Sequence, residues 1–125
     1  MAGKAAIALA AALAIFGATG SAAAPALEQV GEFAVKEANQ GVGVDAAHFY
    51  AVDNYTIGKY DKKTGQLVKK WQGDKKGPIL HLDSAMLMDG KLYAAHSNWP
   101  DWPMTSSLEI FDAELTRDPM IDIRP

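Results

Sequence analysis

A chain of 125 residues without a single cysteine has no disulfide framework, no thiolate metal site and no cysteine nucleophile. Its formal net charge of -3 gives no footing to a nucleic-acid binder, which would need a basic balance.

Lys4 opens the chain as a short positive region, and Ala5 to Ala18 is then almost wholly apolar. Gly17, Thr19, Gly20 and Ser21 break the run, and small residues continue to Ala24. That order of charge, apolar stretch and small-residue cleavage zone marks a secretory signal peptide. The run is shorter than the about 20 apolar residues that a spanning helix needs. We therefore assign 1-26 to a signal-peptide helix, cleaved after Ala26 or Ala23. The expected product is periplasmic or secreted and keeps no stable membrane anchor. Residues 27-40 are a lead-in with room for an outer strand.

After the lead-in the chain repeats itself. Phe49-Tyr50-Ala51-Val52-Asp53-Asn54 lies on Leu92-Tyr93-Ala94-Ala95-His96-Ser97 at an offset of 43. Ile57-Gly58-Lys59-Tyr60-Asp61 lies on Leu108-Glu109-Ile110-Phe111-Asp112 at an offset of 51, the difference being an insertion within Asn98 to Ser107. A period in the low forties built from short strands is that of propeller blades. In the first unit the predicted strands are Gly41 to Val44, Phe49 to Asp53, Thr56 to Tyr60 and Leu67 to Trp71. β-Branched and aromatic residues favour them, and Gly65 suits a turn with positive φ. In the second unit Asp89-Gly90 predicts a tight hairpin between Met86-Leu87-Met88 and Leu92-Tyr93-Ala94. The predicted fold is all-β: about two four-stranded antiparallel blades, 41-79 and 80-125, the second with an insertion and an irregular carboxyl end.

Gly41-Val42-Gly43-Val44-Asp45, Phe49 to Asn54, and Ile57-Gly58-Lys59-Tyr60-Asp61-Lys62-Lys63-Thr64-Gly65 resemble blades of bacterial NHL-, YVTN- and quinoprotein-type propellers. The likeness runs from Gln40 to Ala113. It implies an extracytoplasmic propeller, in a group whose activities range from lactone hydrolysis to binding alone. Thr64-Gly65 with Trp71 is similar to the quinoprotein docking repeat, but there the tryptophan sits closer to the glycine. That departure counts against a quinone, and no cofactor is predicted.

In a meander, successive connections alternate between the two ends of the strands. Tight turns gather at one end; Asp53, Asn54, His81, His96 and the Asn98 to Ser107 insertion gather at the other. Long loops on one face of a repeat scaffold are where binding residues collect. His81 and Asp83 alternate along one strand and share a side, a pair able to line a channel, bind a divalent ion or serve acid–base chemistry. The competing reading is a histidine bonded to a neighbouring loop. Asp53 and Asn54 carry oxygens that could meet calcium, as the lactonase-type likeness implies. Trp99 and Trp102 sit in a loop stiffened by Pro100 and Pro103. They suit stacking on a carbohydrate, a protein partner or a cation, or else packing as a lid.

The lysines between Lys59 and Lys76 fit a solvated edge strand, so no nucleic-acid partner is expected. No G-x-S-x-G elbow surrounds a serine, and no phosphate loop or H-E-x-x-H is present. The sequence leads us to expect an exported binding protein that takes a small molecule or protein partner at one face. The alternative is a lactonase-like hydrolase or quinoprotein-like oxidoreductase using the same loops. Two blades close no ring, and Pro119 and Pro125 are poor strand members, so we expect further blades beyond a truncated end.

Overall fold

A computed structural model describes residues 24-118 and 121-122. The stretch 1-26, expected to be a signal peptide, falls almost wholly outside the described residues. The chain divides into two units, Met1–Val30 and Gly31–Pro125. In the first, the described residues carry no secondary structure, and Leu27 and Val30 are fully exposed. Among the described residues no helix is long and apolar enough to cross a membrane.

Gly31–Pro125 is all-β. One antiparallel sheet orders β1 (Gly41–Val44), β2 (His48–Asp53), β3 (Thr56–Asp61) and β4 (Leu67–Gln72) in sequence. The other orders β5 (His81–Met88), β6 (Lys91–Ser97) and β7 (Ser106–Phe111), with β8 (Ile121–Asp122) adding two residues. The 27-40 lead-in forms no strand. It spends its side chains on the sheet face instead: Phe33 stacks on Phe49 at 5.6 Å, and Glu37 accepts the Tyr60 hydroxyl and pairs with Lys70 at 2.9 Å.

Each turn has a local cause. Asp45 accepts the Ala47 and His48 amides at 2.7 and 2.6 Å, closing β1 onto β2. Asp61 accepts the Lys63 and Thr64 amides, both at 2.8 Å, and Gly65 then turns the chain at φ 70°. Asp89 and Gly90 have φ of 51° and 75°, the two left-handed residues that a type I′ hairpin requires.

A turn of related build, one residue shorter between its paired backbone groups, follows β7. Asp112 accepts the Glu114 and Thr116 amides at 2.9 and 2.7 Å, and Leu115 occupies the left-handed position at φ 57°. Beyond this turn β8 pairs Leu108 with Ile121.

The sheets pack face to face, with β1 and β2 against β5. Cross-strand register sends Tyr50, Val52 and Ile57 to one side of the first sheet and Leu92, Ala94 and Phe111 to the facing side of the second. Trp71 meets Phe111 edge-on across the junction, ring centroids 4.9 Å apart. Gly41 and Gly43 permit the approach of β5, since a Cβ on Gly41 would lie 2.7 Å from the Asp83 carbonyl oxygen.

Candidate functional site

The β2–β3 turn of the first sheet meets the start of β5 in the second, and there the candidate residues converge. The Leu82 amide donates to the Asn54 carbonyl at 2.7 Å, joining the sheets through backbone. The Asn54 side-chain oxygen lies 2.7 Å from His81 Nδ1 and accepts Gln40 Nε2 at 3.1 Å. His81 Nε2 lies 2.9 Å from an Asp83 carboxylate oxygen. Both ring nitrogens are thus engaged, and the imidazole orientation is fixed from two sides. Histidine and carboxylate share a side, as their alternation predicts.

Trp99 completes this group. Its ring centroid lies 5.3 Å from that of His81, with the planes tilted by 45°, and the residue remains 56% exposed. Asn98 staples the insertion loop: its amide nitrogen donates to the Pro103 carbonyl at 3.0 Å, and its oxygen accepts the Thr105 amide at 2.7 Å. The result is an indole with one flank on a fixed histidine and the other toward solvent. Asp83 stands beside that histidine with its carboxylate half exposed. Trp102, in the same loop, is 85% exposed.

Asp53 and His96 have other duties. Asp53 Oδ1 accepts the Asn54 amide at 2.9 Å and shapes the turn. His96 is buried, its Nε2 accepting the Leu80 amide at 3.1 Å and its Nδ1 lying 2.8 Å from Ser107 Oγ. Ser107 donates onward to Glu109 Oε1 at 2.8 Å, and Arg117 holds Glu109 Oε2 through Nε at 2.6 Å and Nη2 at 2.5 Å. Burial pushes the His96 pKa below its ordinary value.

Ser107, His96 and Glu109 have the residue types of a nucleophile triad, but the protons run the wrong way. A serine nucleophile gives its proton to the histidine. Here the single hydroxyl proton goes to Glu109, so His96 Nδ1 is the donor to Oγ. The relay ties β6, β7 and the Leu80 backbone together, which is a structural task. Ser107, Glu109, Arg117, Gln40 and Asn98 escaped the sequence reading because their roles depend on cross-strand register, which no local motif encodes.

The lysines divide as well. Lys69 and Lys70 lie on the exposed β4, whereas Lys59 is buried, donates to the Ala113 carbonyl at 2.9 Å and lies over the Tyr50 ring. Among the described residues no group of three histidine, aspartate or glutamate side chains is placed to hold a metal ion. No protein-family model matches the chain, and no curated protein matches it in sequence.

Proposed function

We propose that the chain is an exported β-propeller-type binding module that takes a small polar ligand with an apolar face, as a saccharide ring has, against Trp99. The observation that carries this reading is the half-exposed indole seated on His81 beside the open Asp83 carboxylate. An indole face stacks on the C–H side of such a ring, and a carboxylate accepts its hydroxyls. The blade reading rests on the 43-residue offset and on the two meander sheets packed face to face. Hydrolysis or redox chemistry is the weaker reading, since both candidate histidines have both ring nitrogens engaged by fixed partners.

Probing a glycan array with the full chain, followed by tryptophan-fluorescence titration of any hit, tests the binding. Saturable binding should weaken at least about tenfold in Trp99→Ala, the loss of roughly 1.4 kcal/mol, while the far-UV spectrum stays unchanged. Binding that survives both Trp99→Ala and Asp83→Ala, or no binding to any glycan, would remove the proposal. Export is checked by sequencing the amino terminus of the extracytoplasmic protein. It should begin at Leu27 or Ala24, and an intact Met1 in the cytoplasm would count against it.

A further inference from the structure

The strand that carries His81 rests at its start on a titratable side chain. β5 pairs with β6 through His81–Ser97 and Leu82–His96, and its register then shifts before Ala85. The short stretch that presents His81 is thereby set apart from the rest of the ladder. Register breaks of this kind re-aim side chains beside functional sites. Two bonds secure the stretch from outside the ladder. The Leu82 amide donates to the Asn54 carbonyl at 2.7 Å, and the Leu80 amide donates to His96 Nε2 at 3.1 Å.

The protons on His96 follow from its partners. A backbone amide only donates, so Nε2 is bare while the Leu80 bond stands, and Nδ1 carries the ring's single proton, directed at Ser107 Oγ 2.8 Å away. A proton added at Nε2 sets two donors against each other and leaves the Leu80 amide without its acceptor. The charged groups that face His96 are Glu109 on β7, with Arg117 behind it, and His81 and Asp83 on β5. Burial of the ring, the largest influence, opposes a second proton, and Arg117 offsets the pull of Glu109. His96 therefore takes up that proton below the ordinary histidine value of 6.5.

We propose that His96 is a positioning residue and an acid release for the Trp99 site: bare at Nε2, it holds Leu80 and so seats His81 against Trp99, and a proton there frees that seat. The proposal rests on the reading of Trp99 and His81 as the ligand site and adds the regulation of that site. A ligand gripped by the seated form excludes the proton, so by linkage its affinity falls with acid, by at most about tenfold per pH unit.

Nitrogen and proton resonances of the full chain, without ligand, test this from about pH 7.5 to about pH 5. At the upper limit His96 should be the Nδ1–H tautomer. As its ring gains a proton, the Leu80 amide resonance should shift and the Overhauser contact between His81 and Trp99 should be lost, all with one midpoint. His96→Gln, whose carboxamide oxygen accepts the Leu80 amide without titrating, should keep that contact throughout. A contact that outlasts the protonation of His96 would overturn the proposal. So would its loss in His96→Gln at the same pH as in the unaltered chain, which would put the cause in the His81–Asp83 pair. If His96→Gln does not fold, the unaltered chain decides: separate midpoints for the His96 ring and the Leu80 amide would overturn the proposal as well. These readings need no ligand, so a negative glycan search removes the ligand reading without touching them.

Discussion

Arg117 holds a carboxylate that has no contact with solvent, since Glu109 is 0% exposed. Removing one partner of a buried pair strands the other's charge, at a cost of about 3 kcal/mol. Arg117→Ala should lower the unfolding free energy by that amount in a denaturant titration. Arg117→Lys should recover only part, because lysine lacks the guanidinium fork. Pairing Arg117→Ala with Glu109→Gln should recover more than Lys does, as no charge is then left buried. Equal losses in the single and double variants would show that the pair contributes little.

Acid acts at two other residues. Burial holds the His96 pKa down, so its neutral form is favoured in the folded chain. That contribution is complete above the ordinary histidine value of 6.5 and fades as pH falls below it. Burial alone would raise the Asp45 carboxyl, but the His48 and Ala47 amides and the Tyr50 hydroxyl outweigh it and pull it down to about 2. Its contribution is complete above about pH 4, is lost as pH falls toward 2, and is worth roughly 1–2 kcal/mol after allowing for partial exposure. Thermal melts should therefore lose stability in two acid stages. His96→Gln should remove the upper stage and Asp45→Asn should weaken the lower; a melt flat from pH 7 to pH 3 would contradict both.

Among the elements, the turn at Leu115 carries the sharpest expectation. Leu115 is 4% exposed and left-handed, so core burial offsets a backbone conformation that costs leucine about 1–2 kcal/mol. Alanine would lose the burial and keep the strain, whereas glycine would lose the burial and shed it. Leu115→Gly should thus be the milder change by about 1 kcal/mol, reversing the usual order of the two residues. Finding Leu115→Ala the more stable would mean that the turn is not held left-handed.

The same turn shows where the sequence stops being readable. Strands up to Phe111 are legible because alternation, Asp89-Gly90 and Gly65 are local signals. The β7–β8 turn is not, because its left-handed residue is chosen by tertiary burial. The lead-in misleads in the same way: Phe33 and Glu37 are used by Phe49, Tyr60 and Lys70, residues distant in sequence. At the site, the His81–Asp83 pairing follows from strand alternation. The seating of Trp99 on His81, and the diversion of His96 into a buried relay, depend on how the sheets meet.

At the scale of the whole molecule, that meeting of two repeated sheets builds everything else described. It buries Tyr50, Leu82 and Phe111 and sets Asn54 of one sheet on His81 of the other. Nuclear Overhauser contacts in the full chain, labelled on its aromatic and histidine side chains, measure this junction directly. The Trp71 indole should contact the Phe111 ring, whose centroid lies 4.9 Å away, and the His81 ring should contact Trp99. Aromatic contacts confined to residues within one sheet, with none between Trp71 and Phe111, would contradict the account.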